Sequence, residues 1–228
     1  MDTPPAPQAM GIIVDGNRRW ARKRGLPVWE GHREGAKRVG ETIRWAREAG
    51  VRSLIFYLFS TENWQRPIEE RSQLFELLRE FLERDSDIPS DVLVRIAGQK
   101  ERFPPMLQQK FARLEEARLR IKGGAALAIV FCLSYGGRTE IVHAAQQLAR
   151  EGRDITERAL AGALWTQPIS DVDLIVRTGG VRRLSNFLLW QAAYAELYFS
   201  DTLWPDFSQA EFTAILQWYA KQERRFGR

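Results

Sequence analysis

Ala125-Ala126-Leu127-Ala128-Ile129-Val130-Phe131-Cys132-Leu133 is an apolar run without a break. Successive side chains of a strand point to opposite faces, so a half-buried strand alternates apolar and polar residues. A run that is apolar at every position suits a strand buried on both faces, as in a parallel sheet covered by helices on each side. Shorter apolar runs at 10–14, 54–59, 172–176 and 197–199, with an alternating one at 92–97, are read as further strands. Residues 34–49, 72–84, 104–121, 140–151, 155–164 and 209–223 carry apolar side chains at three- and four-residue spacing, the helical period. Strands alternating with helices predict an α/β fold, a single-domain and mostly parallel central sheet flanked by helices. No repeat, low-complexity tract or linker divides the chain. Residues 1–9 are proline-rich and read as a flexible N-terminal tail, and residues 10–228 as one domain.

The 228 residues suffice for one well-filled core. The amino-terminal segment lacks the basic-then-apolar order of a signal peptide, and no apolar run approaches the ~20 residues that span a bilayer. Cys132 is the lone cysteine, which excludes an internal disulfide and fits a reducing compartment such as the cytoplasm. The formal net charge of +5 suits anionic partners: nucleic acid, an anionic membrane surface or anionic substrates. Arg18, Arg19, Arg22, Lys23 and Arg24 are interrupted by Trp20, which favours a local anion site over a nucleic-acid stripe, and no nucleic-acid partner is expected.

In open sheets of this kind ligands bind beyond the carboxyl ends of the strands, so the segments that follow the strands carry the functional information. After the first strand stand Asp15, Gly16, Asn17, Arg18, Arg19 and Trp20. The glycine lets the backbone turn and approach a ligand, and the carboxylate with two arginines suits a diphosphate with a metal. A helix capped by Asp15 with solvated arginines explains the same residues. After the second strand stand Ser60, Thr61, Glu62, Asn63, Trp64 and Arg66, either reactive groups on a rigid scaffold or a capped turn. After the fourth, Ser134-Tyr135-Gly136-Gly137-Arg138 reads as a close ligand approach or a plain strand-to-helix turn. After the fifth, Arg177-Thr178-Gly179-Gly180 precedes Arg183, Leu184, Ser185 and Asn186, which could clamp a phosphate by bidentate and hydroxyl contacts. Glu196 lies in an apolar stretch beside Tyr194, Leu197 and Tyr198, where a buried carboxylate would need a metal or an arginine. There is no P-loop, dinucleotide fingerprint, zinc-ligand spacing or Gly-x-Ser-x-Gly elbow. The residues point to phosphate ligands and a hard divalent metal on an α/β sheet, without naming the reaction.

The ordered set of segments resembles the cis-prenyltransferases, the family typified by undecaprenyl diphosphate synthase. It comprises Asp-Gly-Asn-x-Arg-Trp-Ala at 15–21, Gly31-His32 with Gly35, Phe-Ser-Thr-Glu-Asn-Trp at 59–64 with Arg66-Pro67, Tyr-Gly-Gly-Arg at 135–138, Arg-Thr-Gly-Gly at 177–180, Arg-Leu-Ser-Asn-Phe-Leu-Leu-Trp-Gln at 183–191, Tyr-Ala-Glu-Leu-Tyr-Phe at 194–199 and Trp-Pro-Asp-Phe at 204–207. The resemblance implies a homodimer that condenses isoprenoid diphosphates with Mg²⁺, held or guided by Asp15 and Glu196. It implies that Gly16, Asn17, Arg18 and Arg19 cradle the allylic diphosphate near His32. Arg177, Arg183 and Ser185 would bind the second diphosphate, and Asn63, beside Trp64 and Arg66, would position that substrate for proton loss. Arg225 and Gly227 match a carboxy-terminal motif that reaches the partner's site. Phe75, Leu77, Leu78 and Phe81 would wall a tunnel for the growing tail, or are simply the core face of a helix. A lipid product would bring the enzyme to a membrane surface.

The chain departs from the family's pattern at several points. Val28 stands where an arginine commonly contacts the allylic diphosphate, Ser134 replaces an asparagine, Ile13-Val14 replaces isoleucine–methionine, and Val181 and Arg182 replace a frequent glutamate and its neighbour. Three readings follow. The first is elongation of dimethylallyl, geranyl or farnesyl diphosphate by isopentenyl diphosphate to a Z-polyprenyl diphosphate. The second is a branched, lavandulyl-type condensation of dimethylallyl diphosphate. The third is a non-catalytic subunit of a heteromeric prenyltransferase, against which the retained Asp15, Asn63 and Glu196 argue.

Overall fold

The computed structural model describes residues 6–83, 88–118, 125–169 and 171–223. The chain runs β1 (Ala9–Ile13), α1 (Asn17–Lys23), α2 (Val28–Glu48), β2 (Ser53–Ser60), α3 (Ile68–Glu83), β3 (Val92–Ala97), α4 (Pro105–Arg118), β4 (Leu127–Tyr135), α5 (Gly137–Arg150), α6 (Glu157–Ala163), β5 (Leu174–Arg177), β6 (Glu196–Phe199) and α7 (Gln209–Tyr219). The six strands form one sheet in the order β3-β4-β2-β1-β5-β6, and every pairing is parallel. The uninterrupted apolar run becomes β4, an interior strand flanked by β2 and β3.

Burial follows the strand period. Met10, Ile12, Leu54, Phe56, Ile129 and Phe131 face one core with Trp204, Phe207 and Phe212. Their chain neighbours Ala9, Ile13, Ile55, Tyr57, Val130 and Cys132 face the other, with Phe187 and Leu188. Two covered faces leave no position for a polar side chain, which is why β4 shows no alternation. A smaller cluster joins α5 to α6 through Leu148 and Leu160.

Element boundaries shift for local reasons. β1 begins at Ala9, inside the segment read as a tail, and Ala6 packs against the core. Helix α2 starts at Val28 rather than 34, directly after Pro27. Its first turns read as polar because their inner face is built from glycine: a Cβ on Gly31 would stand 2.1 Å from the Asn17 carbonyl oxygen. Helix α6 starts at Glu157, where Thr156 Oγ1 accepts the Ala159 N–H at 3.1 Å. Helix α7 ends at Tyr219, four residues short of the reading. The expected helix ends at 84 and 119–121 lie outside the described residues.

Glu140, on α5, is fully buried. Tyr135 donates its hydroxyl to Glu140 Oε2 at 2.5 Å, the Gln191 amide donates to the same oxygen at 3.0 Å, and the Thr166 N–H donates to Oε1 at 3.1 Å. Burial pushes this carboxyl above its ordinary range. The network fastens α5 to the segments around 166 and 191, beneath the loop that follows β5.

Phe131 is 1 % exposed and packs on Phe56 and Phe81. Phe131→Ala is expected to lower the unfolding free energy by about 3–5 kcal/mol, the usual range for an aromatic deleted from a packed core. Urea denaturation followed by circular dichroism measures it, and a loss below about 1 kcal/mol would contradict this placement of the core.

Candidate active site

Parallel register brings the loops after β1, β2, β4 and β5 to one edge: Ile13 pairs with Tyr57 and with Arg177, and Ser60 pairs with Tyr135. Arg177 closes β5 and is 5 % exposed. Its guanidinium donates to Asp15 Oδ2 at 2.9 Å, to Ser185 Oγ at 2.7 Å and to the Arg183 carbonyl at 2.6 Å. Arg183 Nε donates to the same Ser185 hydroxyl at 3.1 Å. Ser185 and Asn186 sit at φ 50° and 66°, in the left-handed region. This is a sharp turn that few L-residues adopt freely.

Asp15 is the crossing point of the site. Arg19 donates to its Oδ1 at 3.2 Å, while its carbonyl accepts from the Thr178 hydroxyl at 2.7 Å and from the Trp204 N–H at 3.1 Å. Gly16 adopts φ 125°, and a Cβ there would stand 2.8 Å from the Leu203 backbone, so only glycine fits without displacement.

Three cavities meet here. A basic one is lined by Asp15, Gly16, Asn17, Arg18, Arg19, Arg22 and Arg66. A second is lined by Asp15, Ser60, Glu62, Asn63, Arg66, Arg177, Arg183 and Ser185, with Tyr57 and Asn186. The third is apolar and runs between α2, α3 and the sheet, walled by Phe75, Leu77, Leu78 and Phe81 with Phe59 and Phe103. Val14, Asn17 and His32 line all three. A charged group and an attached apolar chain can therefore be held at once, one in each compartment.

His32 is nearly buried, and its Nε2 has no hydrogen-bond partner. Burial, with the charges of Arg66 and Arg18, lowers its pKa to about 4, so the imidazole is neutral at pH 7. Arg66 is also held below its ordinary range, chiefly by burial. Glu62 accepts from Asn186 Nδ2 at 3.4 Å.

Several expected site residues also make contacts that hold the scaffold. Trp20 turns to the Trp-Pro-Asp-Phe segment, donating Nε1–H to Asp206 at 2.7 Å under the Arg24 guanidinium. Trp64 donates to Ser134 Oγ at 2.8 Å and packs on Phe59, Phe75 and Phe103. Ser134 has φ 50°, and its hydroxyl supplies the acceptor for Trp64 at this bend. Asn63 Oδ1 accepts the Ser60 N–H at 3.1 Å, closing a capping box over Thr61–Gln65. Thr61 lies against Gly136, and Leu184 packs on the Tyr57 core. Val28 opens α2 and lines none of the three cavities.

Glu196 does not join Asp15. It pairs with Leu174 at the amino end of β5, whereas Arg177 and Asp15 lie at the carboxyl end. Three residues of strand separate the two levels, roughly 10 Å. Nor is Glu196 deeply buried: β6 is an edge strand, Tyr194 is 74 % exposed and Leu197 41 %. An edge strand lacks a neighbour on one side, which the apolar stretch in the sequence does not reveal. Arg225 and Gly227 lie outside the described residues.

The sequence reading omitted Glu70 and Tyr57. Glu70 could have been found from its spacing, since Arg66 and Glu70 stand four residues apart at a helix start. Tyr57, buried in a strand, donates its hydroxyl to the Tyr135 and Ser185 carbonyls at 3.3 and 3.2 Å. No local signal marks it.

The neutral, buried state of His32 sets a pH dependence. Its folded pKa lies below its unfolded value, so the unfolded chain binds more protons between about pH 6.5 and 4, and folding stability falls as pH drops through that window. Replacing His32 by Asn is expected to remove part of this fall, on the order of 2–3 kcal/mol. Urea melts of both proteins at pH 7 and pH 4.5 measure the difference, and parallel losses would contradict it.

Comparison with known proteins identifies the family. The Prenyltransf family model, that of undecaprenyl diphosphate synthase, matches residues 13–227. The chain is 42 % identical to an isoprenyl transferase of Thermotoga maritima, over 97 % of each chain. It is 45 % identical to the (2E,6E)-farnesyl-diphosphate-specific ditrans,polycis-undecaprenyl-diphosphate synthase of Pseudomonas aeruginosa, over 97 % of this chain and 91 % of that one. The crystal structure of lavandulyl diphosphate synthase from Lavandula x intermedia, in complex with dimethylallyl diphosphate, superposes with a TM-score of 0.91 at 32 % identity, over 98 % of this chain and 99 % of that one. The ordered loops, the shared sheet edge and these matches place the chain in the undecaprenyl diphosphate synthase family of prenyltransferases.

Proposed function

We propose that the chain is a Mg²⁺-dependent cis-prenyltransferase that condenses an allylic diphosphate with isopentenyl diphosphate, releasing diphosphate and forming a Z-polyprenyl diphosphate. The observation that carries this reading is the junction of two polar cavities with one apolar cavity at Val14, Asn17 and His32. An isoprenoid diphosphate has that shape and polarity, and two of them must meet at their reacting ends.

In this reading the compartment of Arg18, Arg19 and Arg66 holds the allylic diphosphate, with its tail in the apolar cavity. Arg177, Arg183 and Ser185 hold the second diphosphate. As the allylic C–O bond breaks, negative charge gathers on the departing diphosphate, and fixed guanidinium donors in a site of low polarity stabilise it. The olefin of the second substrate attacks the allylic carbon and then loses a proton. Ser60, Glu62 and Asn63 line the cavity where that substrate sits.

Among the described residues, no group of three or more His, Cys, Asp or Glu side chains is arranged to hold a metal. Mg²⁺ nevertheless fits Asp15. The ion takes one or two carboxylates, substrate phosphates and water rather than an all-protein cage. Each Asp15 oxygen accepts one side-chain hydrogen bond, which leaves lone-pair positions free. Bound there, Mg²⁺ would neutralise charge on the diphosphate. Glu196 would stand outside that ion's shell within one chain.

The proposed working form is a cytoplasmic homodimer. The exposed Tyr194 and Leu197 beside the edge strand β6 support an interface there. Arg225 and Gly227 would reach the partner's site. No helix of the described residues is long and apolar enough to cross a membrane, and membrane contact would come through the lipid product.

The test is mass spectrometry of dephosphorylated products after incubation with Mg²⁺ and dimethylallyl, geranyl or farnesyl diphosphate, each with and without isopentenyl diphosphate. Products that require isopentenyl diphosphate and grow by five-carbon steps are expected. A ten-carbon product from dimethylallyl diphosphate alone would replace this reading by the branched one, and no product at all would favour a non-catalytic subunit. Asp15→Ala is expected to abolish turnover with the circular dichroism spectrum preserved, and EDTA to do the same reversibly. Full activity of the variant would remove the metal assignment. Val28 itself lines none of the cavities, so Val28→Arg tests reach: the longer side chain is expected to lower KM for the allylic diphosphate, and an unchanged or raised KM counts against its reaching the basic cavity.

A further inference from the structure

Arg18, His32 and Arg66 come from three different elements: α1, α2 and the turn before α3. All three face the basic cavity. Two guanidinium groups that share a wall repel each other unless a carboxylate stands between them. They converge on Glu70. Its Oε1 lies 3.2 Å from Arg66 Nη1, 3.7 Å from His32 Nε2 and 3.8 Å from Arg18 Nε. The Glu70 side chain is 13 % exposed, in the first turn of α3, and does not line the cavity that its three partners face.

We propose that Glu70 is the positioning residue of the diphosphate cradle: from behind the cavity wall, one carboxylate oxygen draws Arg66 and Arg18 toward a single point, beside the neutral His32. The inference rests on the assignment of this cavity to a diphosphate. Burial disfavours the Arg66 charge and Arg18 repels it; Glu70, with a smaller contribution from Asp15, opposes both without cancelling the burial. The carboxylate thus keeps a charged guanidinium in a partly desolvated wall and fixes its direction, with donors left over for the ligand, since a guanidinium carries five. It also binds α1, α2 and α3 together at the junction of polar and apolar cavities. A diphosphate then meets donors already in place instead of ordering them on arrival, which is how preorganisation raises affinity.

Coulomb's law alone makes the opposite prediction. Removing a negative charge beside an anion site should tighten anion binding. The sign of the effect therefore separates positioning from mere competition. Helix-dipole and general surface-charge effects are controlled by Glu69, the exposed acidic neighbour in the same turn.

The full chain, Glu70→Gln, Glu70→Ala and Glu69→Gln are titrated calorimetrically with inorganic diphosphate, and their folding is compared by thermal melting. Glu70→Gln keeps the shape and decides the matter if the alanine variant is unstable. Glu70→Gln is expected to weaken binding about tenfold, the order of one lost charge-assisted contact, and Glu69→Gln to leave it unchanged. In turnover, KM for the allylic diphosphate is expected to rise with kcat at saturation little altered. Unchanged or tighter binding in the Glu70 variants overturns the proposal, as does an equal loss in Glu69→Gln. Failure of the unmodified chain to bind diphosphate would sink the assignment of the cavity itself, and this inference with it.

Discussion

The site depends on one buried guanidinium. Arg177 ends β5, is almost without solvent contact, and donates through its two terminal nitrogens to Asp15, Ser185 and the Arg183 carbonyl. A charge in such a place is tolerated only when paired and hydrogen-bonded. The pairing therefore constrains everything around it. The loop after β1 must bring Asp15 across the sheet edge. The loop after β5 must turn back sharply enough to present Ser185, at the expense of left-handed backbone at Ser185, Asn186 and Leu188. The Glu140 network, with Tyr135 and Gln191, supports that return from below.

A second constraint is closeness between α1 and α2. Gly31 and Gly35 meet Asn17, and a Cβ on Gly35 would stand 2.3 Å from Asn17 Oδ1. This contact sets Asn17 and His32 at the line where polar and apolar compartments meet. On the apolar side the aromatic side chains of Phe59, Trp64, Phe75 and Phe103 pack on one another with centroids 5.2–5.8 Å apart, the separation such rings prefer. A rigid apolar wall therefore stands against a rigid basic wall. Such an arrangement suits a molecule with a charged head and a hydrocarbon tail.

Much of this was legible in the residues. The unbroken apolar character of 125–133 announces a strand covered on both faces, and the loops after the strands hold nearly every residue of the site. Other features were not legible. Trp20 and Trp64 sit among site residues in the sequence but point to Asp206 and Ser134. Position in a loop does not determine the direction of a side chain. Glu196 sits in an apolar stretch yet lies on an edge strand at the far end of the sheet. Strand order is a property of the whole fold, so no local pattern reports it.

The sequence by itself determined the fold class and the strand ends at which the candidate site residues stand. These depend on side-chain period, glycine placement and charge type, all local properties. The tertiary structure alone decided which charges meet. Asp15 pairs with Arg177 across 162 positions of chain, and Glu70 receives Arg18, His32 and Arg66 from separate elements. Such pairings depend on strand order and helix approach, because an electrostatic contact acts over a few ångströms in space whatever the separation along the chain.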